Sequence, residues 1–173
     1  MTKPHIILAQ QYWTKLVKPG DIAVDMTCGN GHDTHFLSNL GAQVIGFDIQ
    51  EKAIEATKLL VPSAKLYHQS HKALRSIDLA APPALIVYNL GYLPGGDKTI
   101  VTRKESTIES LKKAVELSKA ISIMCYPGHE EGAEEEAEVL NFVRTLSHRE
   151  WNVLFHQWPN RLKGPSLFWL TRL

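Results

Sequence analysis

The sequence is short of cysteine, of charge of one sign and of long apolar runs. Its 173 residues hold two cysteines, Cys28 and Cys125, and no C-x-x-C pair. That excludes a disulfide-stapled scaffold and a cysteine-rich zinc site. Both cysteines lie in apolar runs that read as strands, so each is expected to be a free, buried thiol in a reducing, intracellular compartment. The 19 basic and 18 acidic residues leave a net charge of +1. This lacks the basic excess of a dedicated nucleic-acid-binding domain, although a local patch can still hold phosphate. No apolar run nears the ~20 residues that cross a bilayer. The opening stretch carries Gln10, Gln11 and Lys15 and lacks the apolar core and cleavage site of a signal peptide. A cytoplasmic protein with no membrane partner is expected. An apolar fraction of 44% and a charged fraction of 21% are ordinary for a globular chain and exclude disorder as its main character. The length suits one domain over 1–173.

What is present is an alternation of strand and helix patterns. Ile6, Ala9, Trp13 and Leu16 or Val17 recur at helical spacing up to Pro19-Gly20. Ile22–Cys28 reads as a strand, and a helix follows from about Thr34 to Leu40, with Asp33 as N-cap and Gly41 as stop. Gln43–Ile49 is a second strand, and the helix over Ala53 to Leu60 ends at Pro62. Ala64–Gln69 and Ala84–Tyr88 are further strands, with a helix over His71 to Leu79 between them. Ser106-x-x-Glu109 reads as a capping box opening the next helix. Ile121–Tyr126 is a fifth strand; Val139, Phe142, Val143 and Leu146 mark the last helix. Trp151–Trp158 and Ser166–Thr171 close the chain as a hairpin. The expectation is a doubly wound α/β fold: seven strands, mostly parallel, with an antiparallel pair at one edge. Ligands in such sheets bind beyond the carboxyl ends of the strands, at the switch in strand order.

The loops at those ends carry nearly all the unusual polar residues. The first runs from Asp25 through Met26, Thr27, Cys28, Gly29, Asn30, Gly31, His32 and Asp33 to Thr34. Its glycines permit a tight turn and close ligand approach. A helix N-terminus behind them offers free N–H groups. Asp48 closes the second strand, 17 positions after Gly31, where an acid can accept from both hydroxyls of a ribose. Together the glycine turn and the acid indicate an adenosine cofactor. Thr34 stands where a dinucleotide fingerprint has its third glycine, and no Lys-Ser or Lys-Thr follows as in a triphosphate loop. Asp25 would repel a pyrophosphate but suits S-adenosylmethionine, which carries an ammonium and a sulfonium. The loop after the fourth strand reads Asn89-Leu90-Gly91-Tyr92-Leu93-Pro94. It resembles the acceptor loop of amino-group methyltransferases, in which the Asn side chain and a carbonyl hold an NH2 while an aromatic ring stacks on the base.

The resemblance extends to whole strings: D-x-T-x-G-N-G-H-D-T, F-D-I-Q, N-L-G-Y-L-P-G-G-D-K and Y-P-G-H-x-x-G, spanning Asp25 to about Gly132. They are similar to a small family of bacterial class I methyltransferases, the YtqB-like family, long labelled rRNA methylases. That family is associated with methylation of the aminomethyl group of the tRNA wobble uridine. The resemblance implies a homodimer, S-adenosylmethionine as cofactor and the tRNA anticodon region as partner. It implies cofactor contacts from Asp25, Thr27, Asn30, Gly31, Asp33, Thr34 and Asn89, and from Asp48 and Gln50 at the ribose and adenosine edge. Ser70 and His71 would lie at the adenine end. Asn89, Tyr92 and Pro94 would form the methyl-transfer pocket, with Asp97, Lys98, Thr102 and His129 flanking the acceptor. The chain departs from the family near its end, where Asn160 is followed by one proline, Pro165.

The other polar clusters have plainer readings. The pairs His32/His35 and His68/His71 have metal-like spacing, but nothing completes a four-ligand set. The six glutamates from Glu130 to Glu138 read as a solvated helix start complementing the dipole. Lys98, Arg103, Lys104, Lys112 and Lys113, with Arg161 and Lys163, are candidates for phosphate contact or ordinary surface charge. Trp13, Trp151, Trp158 and Trp169 read as core or dimer contacts. Competing functions are an rRNA or small-molecule amine methyltransferase, a nicotinamide-dependent oxidoreductase and a non-catalytic RNA-binding protein.

Overall fold

The protein is described here from a computed structural model covering residues 3–76, 79–91, 104–161 and 163–173. Seven strands form one sheet: β1 (Ile22–Asp25), β2 (Gln43–Asp48), β3 (Lys65–His68), β4 (Leu85–Leu90), β5 (Ala120–Cys125), β6 (Trp151–His156) and β7 (Ser166–Arg172). Their order is β3-β2-β1-β4-β5-β7-β6. The pairings from β3 through to β5 are parallel, and β7 runs antiparallel to both β5 and β6. This is the doubly wound sheet with a C-terminal hairpin that the alternation predicts.

Helices cover both faces. Helices α1 (Pro4–Leu16) and α2 (His32–Asn39) pack on one, through Ala9, Trp13 and Leu37 against Ala23, Val44, Leu85 and Val87. Helix α3 (Glu51–Leu60) lies against α2, β2 and β3. A 3-10 turn (His71–Ser76) joins α4 (Lys104–Leu117) and α5 (Glu130–Arg144) on the opposite face, over Val24, Phe47, Ile86, Tyr88 and Ile123. Consecutive strand residues thus enter opposite cores, so the central strands are apolar without alternation. The two cysteine thiols are free and buried.

Several boundaries differ from the sequence reading. Of the stretch expected to form a helix from His71 to Leu79, His71–Ser76 make a 3-10 turn, and residues 77–78 lie outside the described residues. Helix α2 begins at His32 behind Gly31, so Asp33 lies in its first turn and is not its cap. Gly31 has a left-handed φ of 79°, and a Cβ there would sit 3.0 Å from the Thr57 Cα, so glycine takes the cap position. The chain is already helical at Lys104, which places Ser106 inside α4 and removes the capping box. Glu109 instead meets Lys72 at 3.0 Å and Lys113 at 3.5 Å. The glutamate run is not all solvated: Glu135 is 2% exposed and accepts the Thr107 hydroxyl at 2.6 Å. Glu136 accepts from Ser166, and Glu134 pairs with Lys104 at 2.7 Å. The buried stripe of α1 is His5, Ala9 and Trp13, so His5 takes the inner position expected for Ile6. Trp13, Trp151 and Trp169 are core residues and Trp158 is half-buried. No described helix is long and apolar enough to cross a membrane.

Candidate active site

The strand order switches between β1 and β4: the chain steps outward from β1 through β2 to β3, then returns to pair β4 on the other side of β1. At the carboxyl ends of these two strands the backbones stay linked, with the Met26 N–H donating to the Val87 carbonyl at 2.9 Å. The Asn89 N–H donates to Thr27 Oγ1 at 2.7 Å. Five residues singled out from sequence form one network here. Asp25 is fully buried; Thr34 Oγ1 donates to its Oδ2 at 2.7 Å and the Thr27 N–H to its Oδ1 at 3.2 Å. Asn89 Nδ2 donates to Asp33 Oδ2 at 2.6 Å. Asp33 reaches this position from the first turn of α2, where its charge also complements the dipole.

Burial, the neighbouring Asp33 and, more weakly, Asp48 push the Asp25 carboxyl up to about 7, against the Thr34 and Thr27 bonds that favour its charged form. Asp33 is also raised, by burial, with the Asn89 bond and His32 opposing. A cation held beside these two carboxyls would favour their ionised forms.

A second network closes the glycine loop against β2. Asp48 Oδ2 accepts the Gly29 N–H at 2.9 Å and Oδ1 the Gln50 N–H at 2.9 Å. Each oxygen of an ionised carboxylate has a further lone pair, so both can also accept a hydroxyl. Thr57 Oγ1 donates to the Gly29 carbonyl at 3.2 Å. Thr57 and Cys28, which packs on Gly46 where a Cβ would meet its Sγ, shape this loop; the sequence marked Cys28 only as a buried thiol and Thr57 only as a helix residue. Their pattern is that of ordinary core positions.

The remaining expected residues are spread around the crevice. Asn30 is exposed at the loop tip. Gln50 is the N-cap of α3 and His129 that of α5, both at the carboxyl side of the sheet. Ser70 is half-buried before the 3-10 turn. The His71 ring is turned inward, edge-on to Tyr88 at 6.3 Å, and burial pushes it down to about 4. Tyr92, Pro94, Asp97, Lys98, Thr102 and Arg103 lie outside the described residues. Among those described, no cluster of three or more metal-ligating side chains exists.

A model of the family described as "Putative rRNA methylase" matches residues 44–172. The chain belongs to this family. It is an S-adenosylmethionine-dependent methyltransferase, the chemistry of that family. The methyltransferase is 34% identical to the chloroplastic tRNA (mnm(5)s(2)U34)-methyltransferase of Arabidopsis thaliana, over 95% of its own length and 68% of the relative's. It is similar to the crystal structure of a "putative rRNA-methylase" from Clostridium thermocellum, with a TM-score of 0.93, 34% identity and full coverage of both chains. It is likewise similar, with a TM-score of 0.90, 31% identity and full coverage of both, to a Streptococcus mutans methyltransferase solved in complex with SAH.

Proposed function

We propose that the methyltransferase transfers the methyl group of S-adenosylmethionine to the amino nitrogen of a 5-aminomethyl(-2-thio)uridine at the wobble position of tRNA. The observation that carries this reading is the bond from Asn89 Nδ2 to Asp33. It commits the amide nitrogen to a carboxylate and leaves the Oδ1 side as the acceptor for an incoming N–H. Thr27 holds the backbone of the same residue. An amine gripped in this way is oriented rather than activated, and orientation is the main contribution that a direct displacement requires. The name of the plant relative supports the wobble uridine as acceptor.

The residues present fit the cofactor. Asp25 and Asp33 are buried carboxyls whose ionised forms a cationic ligand would favour, and Asp48 keeps lone pairs for a ribose. When bound, the cofactor supplies an electrophilic methyl on sulfur. Asn89 aims the nitrogen lone pair at it, and a pocket poor in water favours the neutral amine. His129, at the head of α5, is the proposed proton acceptor, with Asp97 as the other candidate. The same reading takes residues 1–173 as one catalytic domain of a cytoplasmic homodimer, with the tRNA anticodon region as partner. Light scattering tests the dimer: a monomeric mass retires it.

The test of function is incubation with labelled S-adenosylmethionine and bulk tRNA from cells lacking the gene, followed by nucleoside analysis. Label on an aminomethyl wobble uridine, lost in Asn89→Ala, is the expected result. Label on rRNA instead moves the acceptor to the ribosome, and label on neither retires the RNA assignment.

A further inference from the structure

Helix α1 runs against the direction of β1. Its end turns through Pro19-Gly20 into the start of that strand, so its first turns stand at the carboxyl end of the sheet. A small cavity there is lined by Ile6, Ala9 and Trp13 from α1 and by Asp33, Asn89 and Met124. His5 lies beside this wall and is 2% exposed, yet its Nε2 has no hydrogen-bond partner. Its ring is edge-on to Tyr126 at 5.9 Å and to Trp158 at 6.0 Å. Tyr126 follows β5 and packs beside Gly91, two residues beyond Asn89: a Cβ on Gly91 would lie 3.7 Å from its ring. Trp158 comes from the loop after β6, which runs parallel to β5 and ends on the same side.

A buried imidazole nitrogen without a partner costs stability, and phenylalanine or leucine would fill this space without that cost. Burial, then Lys3 and Arg161, push the ring down to about 4, so it is neutral near pH 7 and is no phosphate-binding cation. A neutral imidazole offers one N–H and one lone pair. The edge of a pyrimidine offers the complementary groups, and enzymes that act on a base hold it between such edges and aromatic faces.

We propose that His5, Tyr126 and Trp158 form the pocket for the acceptor base, with His5 Nε2 hydrogen-bonding the edge of the ring. The inference rests on the reading that a pyrimidine carries the acceptor amine. The half-buried Trp158 ring swings away from His5 as the base enters, and His5 sets specificity without touching the cofactor.

The test compares wild type, His5→Phe, His5→Leu and His5→Gln in the full chain, on tRNA from cells lacking the gene. Losing one hydrogen bond raises KM for tRNA roughly tenfold in the Phe and Leu variants. Their affinity for S-adenosylmethionine is unchanged and their melting temperature equals or exceeds wild type. His5→Gln recovers part of the loss. The slope of log KM against log salt stays the same, because no phosphate contact is removed. A wild-type KM in both apolar variants overturns the proposal. So does a weakened cofactor affinity, a lowered melting temperature or a changed salt slope. If only the Phe variant fails to fold, the Leu variant carries the test; if both fail, the ring is structural and the proposal falls. A wild-type enzyme that methylates no tRNA retires the proposed function, and this inference with it, before any variant is compared.

Discussion

The raised carboxyl of Asp25 ties cofactor binding to pH. With its pKa at about 7, the side chain is mostly protonated at pH 6 and mostly ionised at pH 8 before the cofactor binds. A ligand carrying an ammonium and a sulfonium favours the ionised form and lowers this pKa. Binding therefore expels protons, and affinity rises with pH until the carboxyl is already ionised. If only the ionised form binds, the dissociation constant falls roughly tenfold from pH 6 to pH 8 and then levels off, and about half a proton is released per cofactor at pH 7. Asp33, raised by the same burial, adds in the same direction. Calorimetry at pH 7 in two buffers of different ionisation enthalpy measures the released protons, and titrations from pH 6 to pH 8 give the slope. Asp25→Asn should bind weakly at every pH and lose most of the slope. A flat affinity across this range, or heats independent of buffer, would refute the reasoning.

Other expected outcomes follow from the same geometry. Asn89→Ala should lose methyl transfer by a hundredfold or more, on the order of the ~3 kcal/mol a positioned polar group supplies, and lose far less cofactor affinity in calorimetry. Gly31→Ala forces a side chain into a left-handed φ of 79° and against Thr57, so denaturant melts should show a loss of about 1–2 kcal/mol or more. Cys28 and Cys125 are buried with thiols pushed well up by burial, so neither should react with a thiol reagent in the native protein and both should react in denaturant. His5 and His71 are both pushed down to about 4, while the unfolded chain takes up their protons near 6.5. Both are neutral in either state well above 6.5, and proton uptake by the unfolded chain lowers stability as pH falls from there toward 4. Asp25 works the other way, protonating more readily when folded. Replacing both histidines by phenylalanine should flatten the acid side of a melting-temperature profile.

The fold was legible because helices cover both faces of the sheet: runs such as Ala84–Tyr88 are apolar throughout, and glycine and proline punctuate the rest. The candidate site was legible because Asp25, Thr27 and Asn89 are polar residues at strand ends and Asp33 opens a helix beside them, where a core has no use for such residues. What sequence missed depends on partners distant in the chain. Asp33 has the residue type of a cap, but the left-handed turn at Gly31 takes that place and frees its carboxylate for Asn89, 56 residues away. Glu135 looked like surface charge until Thr107 was found against it. His5 sits four residues before Ala9 and eight before Trp13, the period of a buried stripe, but an imidazole does not count as apolar in such a pattern. Tyr92 and Pro94 remain assigned by resemblance alone.

The position of β7 bears on how the molecule assembles. It is the seventh described strand along the chain but lies between β5 and β6, and among the described residues β6 pairs with no other strand. Residues 151–156 are therefore made before there is any edge for them to join. Until residues 166–172 arrive, β5 is left as an open border, apolar except for Ser122, the kind of edge that recruits strands from other chains. The last strand acts as a keystone, and a chain cut before Ser166 should aggregate even though every loop of the candidate active site described here precedes the cut.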